Sequence, residues 1–284
     1  MSMKKKPSKK PIMVSQFVYY CVLGLAAVLT IIPFVWMSAT SFDRVQSYEL
    51  PYPPRFIPAN PSLFNYEIAF ANMPLLQYMS NTLIIVILSV VLTVAISTLT
   101  GFCLSKGKFK GKNIILLIIL SNMMIPFETK LMPTFMFIRA LGLTNTHMGV
   151  VLPGVLTTAI YIFFIKKFCD DLPNDLFEAG IIDGAGKFRI YLQIFLPLMG
   201  PVIATIIVLV VMHCWNDLLW PLIVLIRTDM KTIQIGLSNY SDQNVQHAGV
   251  ATAMSVISVL PLTAIFIFLQ KYIVQSIAAT GIKQ

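Results

Sequence analysis

Long apolar runs alternate with shorter polar segments along the whole chain. Six of these runs reach or approach the about 20 residues that a helix needs to cross a bilayer. They lie at about 17–38, 79–104, 114–138, 148–168, 200–226 and 250–272. The pattern predicts an all-α membrane protein with six transmembrane helices joined by short connections.

The composition agrees with this interpretation. Hydrophobic residues make up 57% of the chain and charged residues 12%, and the mean hydropathy is +0.78, values far from those of an ordinary soluble domain. Because six crossings and their connections use most of the length, we expect no separate catalytic domain. We divide the chain into a basic tail at 1–16 and a transmembrane domain at 17–284.

The positive charges predict the orientation of the helices. With the amino terminus in the cytoplasm, fifteen of the 21 Lys and Arg residues fall on the cytoplasmic side, five fall outside, and Lys130 lies within the third run. Cytoplasmic connections of membrane proteins carry such an excess of positive charge. The bias predicts a multi-pass protein with both termini in the cytoplasm.

The motifs of common catalytic and metal sites do not occur in this sequence. The four cysteines are scattered without a CxxC pair, and neither HExxH nor GxSxG is present. Gly-Ala-Gly-Lys-Phe at 184–188 looks like the end of a phosphate-binding loop, but Phe188 stands where that loop needs Ser or Thr. We predict no catalytic residue, no metal and no cofactor bound by this chain.

Two outer connections and one cytoplasmic connection stand out. The first outer connection, about 39–78, is rich in proline, which predicts a stiff loop without regular helix. It is either a connector or a docking surface for an external partner. The polar outer connection at about 227–249 could contact a solute or a partner. The cytoplasmic connection at about 169–199 is longer than a simple link requires.

That cytoplasmic connection predicts two short helices. Asp170 and Asp171 offer amino-terminal caps for a helix that begins near 171–174. Glycines at 180, 184 and 186 then permit a bend, and a second helix follows from Lys187 to about Phe195. Charged residues and glycines of this density belong in water rather than in lipid.

The spacing of residues in this connection resembles the EAA loop of membrane subunits of ATP-binding cassette importers. Glu178-Ala179-Gly180, then Gly184, then Ile194-Phe195-Leu196-Pro197 follow its pattern, with Gly180 where the family usually has Ala. Further stretches look like the carbohydrate permeases of the MalG type, and these are Asn81-Thr82, Met124-Ile125-Pro126-Phe127, residues 215–222 and Gly281-Ile282-Lys283. The resemblance covers nearly the whole chain from about residue 15.

The resemblance implies a function and a set of partners. It implies a type I importer permease fold in a bacterial cytoplasmic (inner) membrane, with the EAA loop as a coupling helix that docks into a cytoplasmic ATPase dimer. A second homologous permease and an extracytoplasmic solute-binding protein would complete the system, which would import a carbohydrate, in particular an oligosaccharide. ATP and Mg would bind at the ATPase. The residues implied to contact the ATPase are Leu176, Phe177, Glu178, Ala179, Gly180, Ile181, Asp183 and Gly184.

Polar residues inside the predicted spans are candidates for the solute pathway. His213, Asn216, Asp217 and Trp220 would share one face of the fifth span on a continuous helix, near its outer mouth, which predicts a gate. Asn122 and Glu128 in the third span complete the set. Glu128 and Lys130 would point to different sides of an ideal helix unless Pro126 breaks it. The alternative is that these residues make interhelical hydrogen bonds and anchor the chain in the interface.

A rival hypothesis is a stand-alone secondary transporter driven by protons, with Glu128, His213 or Asp217 as the proton carrier. It leaves the EAA loop unexplained, and the sequence shows no inverted repeat of the kind common in such transporters. Uptake by the chain alone along a proton gradient would favour this rival. Uptake that requires ATP and a binding protein would favour the importer.

Overall fold

The computed structural model describes residues 14–44, 53–243 and 248–281. These residues form helices, with one isolated β-bridge between Asp43 and Pro61. In chain order the helices are α1 Val14–Ser41, α2 Phe64–Asn72, α3 Leu75–Lys106, α4 Lys112–Ser121, α5 Phe127–Ala140, α6 His147–Leu156, α7 Ala159–Asp171, α8 Asp175–Ile182, α9 Lys187–Ile190, α10 Leu196–Leu198, α11 Gly200–Asn216, α12 Leu219–Val224, α13 Ile233–Gln243 and α14 Ala248–Gly281. The all-α prediction is confirmed. Most of the predicted basic tail lies outside the described residues.

The candidate membrane crossings are of two kinds. Three are single helices, at Gln16–Ser41, Leu75–Lys106 and Ala248–Phe268. Three more are bent pairs that qualify only when each pair counts as one crossing, namely Lys112–Met124 with Phe127–Ala140 at 106°, His147–Leu156 with Ala159–Asp171 at 48°, and Lys187–Leu198 with Gly200–Asn216 at 75°. The described residues thus provide up to six crossings, as the six apolar runs predict.

Proline accounts for where the most sharply bent of these crossings breaks. Pro126 lies between the two helices of the sharpest pair, with φ −55° and ψ 145°. A proline has no backbone N–H to donate to the preceding turn, and its ring collides with the carbonyl four residues earlier. In the fourth crossing the break follows Pro153, and the Thr157 hydroxyl donates to the Pro153 carbonyl at 2.9 Å. These breaks bring polar backbone and side chains into otherwise apolar segments.

The fifth crossing ends earlier than its apolar run predicts. Helix α11 stops at Asn216, Asp217 has an extended backbone with ψ 119°, and α12 is a separate helix. Pro221 explains the break, because a continuous helix would need its missing N–H to reach the Asp217 carbonyl. The prediction that His213, Asn216, Asp217 and Trp220 share one face of a single helix is therefore wrong.

The chain forms two compact units, made of residues 1–69 with 244–256 and of residues 70–243 with 257–284. In the first unit, the Asp43 carboxylate accepts hydrogen bonds from the backbone of Ala59 at 2.7 Å and of Asn60 at 3.3 Å. The Asn65 side chain donates to the Ser41 carbonyl at 3.0 Å. These bonds hold the loop after α1 against the start of α2. Because α2 lies inside the proline-rich connection, the prediction of no helix there is wrong.

In the second unit the long helix α3 packs along α7, α11 and α6. Small buried residues recur on α3 at every fourth position, at Ser89, Thr93, Ser97 and Gly101. Side chains this small let neighbouring helix backbones approach closely. At Gly101 a methyl group would lie 2.6 Å from a side-chain carbon of Ile165 in α7. Helix α3 is therefore the central support of the unit.

Two apolar clusters of the second unit lie at different levels of α3. One cluster surrounds Ile85 and includes Ile138, Val151, Trp220 and Val224. The other surrounds Phe102 and includes Ile165, Ile190, Phe195 and Met199. The first supports the walls of a cavity, and the second supports α8.

The connection after α12 is held by the start of α3. The Asn81 amide donates to the Asp229 carbonyl at 2.9 Å and to the Lys231 carbonyl at 3.0 Å. The Thr82 hydroxyl accepts from the backbone N–H of Ile233 at 3.0 Å. The polar connection contains α13, and its residues 244–247 lie outside the described part.

Candidate functional site

Helix α8 ends in a turn that requires glycine. The N–H of Ala185 donates to the Gly180 carbonyl at 2.9 Å, and the N–H of Gly184 donates to the Ile181 carbonyl at 3.0 Å. This pair of bonds defines a Schellman cap, whose closing residue is left-handed. Gly184 has φ +74°, a conformation that is costly for a residue with a side chain. The predicted glycine bend between the two short helices is confirmed.

The surface of α8 exposes apolar side chains around an acidic one. Glu178, Ala179 and Asp183 are exposed, Leu176 is 37% exposed and Ile181 is 49% exposed. Ile182 is 83% exposed and belongs to the same surface, although the sequence analysis did not select it. The sequence carried a signal for it, because Ile182 follows Glu178 by four residues and Ala179 by three, a spacing that places the three on one helix face. Exposed aliphatic residues grouped on one short helix are typical of a protein contact site.

Two of the eight residues selected in α8 and its closing turn face inward. The Phe177 ring is half-buried and lies 6.1 Å from the Phe102 ring and 6.3 Å from the Phe195 ring, measured between centroids. Gly180 is buried, and a methyl group there would lie 2.9 Å from a side-chain carbon of Ile190. Because Gly180 is buried against Ile190, the prediction that it permits a partner's close approach is wrong. Phe177 keeps part of its side chain exposed, so its contact with a partner stays a prediction.

The start of α8 also differs from the prediction. Asp170 and Asp171 do not cap it, because they belong to the last turn of α7 and pair with Lys166 at 2.6 Å and Lys167 at 3.1 Å. Asn174 occupies the capping position, and its backbone carbonyl accepts from the N–H of Glu178 at 3.0 Å. The helix therefore starts at Asp175, slightly later than predicted.

A basic cavity of about 320 Å³ lies beside α8. Its lining includes Glu178 and Ile181 and four lysines, which are Lys106, Lys108, Lys112 and Lys187. The surface of α8 thus combines a carboxylate, exposed aliphatic side chains and a basic border.

A second cavity, of about 500 Å³, opens among α3, α5, α6, α7, α11 and α12. Four of the residues considered in the sequence analysis line it, and these are Lys130, His213, Asp217 and Trp220. The Trp220 indole N–H donates to the Val150 carbonyl at 3.2 Å, and its ring meets the Phe127 ring edge-on at 6.4 Å. The helix break at Asp217 thus brings Asp217 and Trp220 to one cavity, although they do not share a helix face.

Three other candidates for the pathway are not among the residues that line this cavity. Asn216 is exposed, and its amide donates to the Met212 carbonyl at 2.8 Å. Glu128 is exposed. Asn122 accepts from the Lys130 ammonium through its side-chain oxygen at 3.2 Å and its backbone carbonyl at 3.3 Å. Lys130 therefore reaches back across the bend at Pro126 to Asn122 rather than pairing with Glu128.

The cavity also has polar residues that the sequence analysis missed. Ser89 and Thr93 of α3, Thr134 of α5 and Tyr161 of α7 line it. Ser89 and Thr93 belong to the four-residue repeat of small side chains on α3, which was the signal available in the sequence. Hydroxyl groups beside Phe127 and Trp220 give the wall both hydrogen-bonding and aromatic character. That combination suits a ligand with hydroxyl groups and apolar C–H faces.

The apolar crossings, the cavity between helices and the exposed helix between the fourth and fifth crossings define a multi-pass membrane permease. The chain belongs to the family of binding-protein-dependent transport system inner membrane components, whose model matches residues 95–279. The resemblance drawn from the sequence is thereby confirmed, and the protein is a multi-pass component of an inner membrane.

Named relatives are transport permeases. The chain is 35% identical over 229 residues to the arabinooligosaccharides transport system permease protein AraQ of Halalkalibacterium halodurans, covering 80% of this chain and 82% of AraQ. It is 30% identical over 261 residues to the lactose transport system permease protein LacG of Rhizobium radiobacter, covering 91% and 93%. A crystal structure of a bacterial ABC transporter that imports alginate contains a chain with the same fold, at TM-score 0.78, 21% identity, and 94% and 99% coverage.

Proposed function

We propose that this chain is a translocation subunit of an ATP-driven carbohydrate importer. It forms the pathway with a second homologous permease, receives solute from an extracytoplasmic binding protein, and is coupled through α8 to a cytoplasmic ATPase dimer. ATP and Mg bind at the ATPase, and this chain itself carries no catalytic step. The observation that carries the proposal is the exposed surface of α8, with Glu178 among aliphatic side chains on a helix closed by a glycine cap.

The contact with the ATPase is made by the outward side of α8. Leu176, Ala179, Ile181 and Ile182 supply apolar contact area, and Glu178 supplies a charged hydrogen-bond acceptor. Gly184 sets the direction in which the chain leaves α8. Asp183 is the exposed residue that follows the last residue of α8. Phe177 and Gly180 act from the inner side, where they seat α8 on the Phe102 cluster. A rigid helix held in this way can pass on the closure of a partner as a rigid-body motion.

The solute is a carbohydrate, in particular an oligosaccharide. The names of the relatives support this class, since AraQ belongs to an arabinooligosaccharide system and LacG to a lactose system. The cavity supports it independently, because hydroxyl side chains, Asp217 and three aromatic rings line one space. The cytoplasmic position of α8 and of both termini follows the distribution of positive residues.

Purification of the tagged chain from its native host in mild detergent tests the proposed assembly. We expect a stoichiometric ATPase and a second permease in the complex, identified by mass spectrometry. In proteoliposomes, uptake should require both ATP and the binding protein. Uptake by the chain alone that follows an imposed proton gradient would refute the proposal and would support the rival transporter with Glu128, His213 or Asp217 as carrier.

Asp217→Asn is expected to reduce uptake about tenfold while the complex still assembles, because a carboxylate makes a stronger hydrogen bond to a hydroxyl than an amide does, by about 1.4 kcal/mol. The amide oxygen can still accept from the backbone N–H of Trp220, a bond of 3.4 Å, so the local fold is retained. Initial uptake rates at varied solute concentration measure the effect.

Asn216→Ala is the matched control, since Asn216 is the neighbouring residue and does not line the cavity. It should change uptake less than about twofold, because surface substitutions away from special features have small effects. If Asp217→Asn and Asn216→Ala show the same initial uptake rate, Asp217 does not contact the solute.

A further inference from the structure

Lys106, the last residue of α3, is a buried lysine. Its ammonium donates to the Leu172 carbonyl at 3.0 Å and to the side-chain oxygen of Asn174 at 2.8 Å. It also lies 5.7 Å from the centre of the Phe195 ring. None of the ion pairs among the described residues includes Lys106. Lysine is rarely buried unless its charge serves a specific partner.

The neighbouring lysines differ from Lys106 in this respect. Lys108 and Lys110 are exposed, as expected for residues whose role is to set membrane orientation. An exposed lysine would serve that role equally well at position 106. The burial of Lys106 therefore has another cause, which its two acceptors indicate.

The two acceptors lie where α7 ends and α8 begins. Leu172 is the residue that follows α7, and Asn174 is the residue that precedes α8. Two further contacts join the same parts, since the Ser105 hydroxyl donates to the Asp170 carboxylate at 2.6 Å and the Phe102 ring meets the Phe177 ring. The end of α3 is thus attached to both sides of the link between α7 and α8.

Helix α3 connects this attachment to the transport cavity. It is a single helix of 32 residues, about 48 Å long at 1.5 Å per residue. Ile85, Ser89 and Thr93 of the same helix line the cavity. A displacement applied to α8 at the Lys106 end can therefore reach the cavity wall through one continuous element.

We propose that Lys106 is the positioning residue that fixes α8 to α3, so that movement of α8 moves the cavity wall. The inference rests on the proposed coupling function of α8 and assigns the link through which that function acts. Without Lys106, α8 still contacts the ATPase but moves partly independently of α3.

Lys106→Met tests the proposal in the reconstituted complex, with Lys110→Met as the control, because Lys110 is exposed and does not line the basic cavity beside α8. The quantity measured is the amount of solute imported per ATP hydrolysed. We expect this ratio to fall about tenfold in Lys106→Met, which corresponds to a loss of about 1.4 kcal/mol of coupling free energy. The rate of ATP hydrolysis should be retained. Lys110→Met should equal the wild type, and Lys106→Arg should keep most of the ratio because it retains the charge and the donors. A wild-type ratio in Lys106→Met would overturn the proposal.

Asn174→Ala provides a second variant in case Lys106→Met does not fold. It removes one of the two hydrogen-bond acceptors of Lys106, and because Asn174 is exposed the substitution leaves no cavity in the core. It should also lower the ratio, and an unchanged ratio would count against the proposal.

Hydrogen exchange of the amides of 175–182 in the purified chain tests the attachment without the ATPase. Exchange should be faster in Lys106→Met than in Lys110→Met, and equal exchange would overturn the attachment. Absence of an ATPase from the wild-type complex would refute the coupling function instead, so the two failures are distinguishable.

Discussion

Replacement of Glu178 by alanine is expected to lower ATP-driven uptake by about 100-fold, which corresponds to the 2–4 kcal/mol typical of a central charged residue in an interface. Glu178 is exposed on α8 among aliphatic side chains, which a bound partner would remove from water. A charged hydrogen bond gains strength when water is excluded around it. The chain should still insert into the membrane, because Glu178 makes no contact that the fold requires.

The measurements are uptake in proteoliposomes and recovery of the ATPase with the tagged chain. Asp175→Ala is the matched control, since Asp175 is also an exposed carboxylate in the first turn of α8. Both substitutions remove one favourable charge near the positive end of the helix dipole, an effect of at most about 1 kcal/mol. Equal losses in the two variants would assign the effect to helix stability and would argue against a specific contact at Glu178.

Replacement of Gly101 by alanine is expected to destabilise the protein by about 1–3 kcal/mol, the usual cost of overpacking. The added methyl group would lie 2.6 Å and 2.7 Å from two side-chain carbons of Ile165 and 3.0 Å from the Ile162 carbonyl. Ile165 is completely buried, so it has no free space into which to move. Helices α3 and α7 would have to separate, and Gly101→Val should abolish the folded protein.

Gly24→Ala is the control for this prediction. Gly24 lies inside α1, and a methyl group there would meet no atom within 4 Å. Alanine favours helix over glycine by about 1 kcal/mol, so this variant should be as stable as the wild type or slightly more stable. Thermal unfolding of the purified protein in detergent measures both variants. Similar melting temperatures for Gly101→Ala and the wild type would show that α3 and α7 do not require the close approach.

The connection between α7 and α11 illustrates which features could be predicted from sequence. The glycine bend at Gly184 was predictable, because a left-handed cap depends on the local backbone. The inward positions of Phe177 and Gly180 were not, because they result from contacts with Phe102, Ile190 and Phe195. A pattern of spaced residues identifies the helix that is a candidate contact site. It does not indicate which face of that helix packs against the rest of the chain.

The cavity shows the same limit. The sequence indicated His213, Asp217 and Trp220 on the assumption of a straight helix, and they line one cavity although α11 ends at Asn216. The consequence of Pro221 could have been read from the sequence, since a proline cannot continue the hydrogen bonding of the preceding turn. The contributions of Ser89, Thr93, Thr134 and Tyr161 depend on which helices become neighbours, which no single segment specifies.

The sequence by itself determined that the protein crosses a membrane through apolar helices, that a polar connection with a glycine bend interrupts them, and to which family the chain is similar. These properties follow from hydrophobicity and backbone preference, which act within one segment. Only the tertiary structure decided that Lys106 is buried while Lys108 is exposed. The physical reason is that burial, close approach and hydrogen bonds such as that from Lys106 to Asn174 join residues far apart in the chain, and packing brings them together.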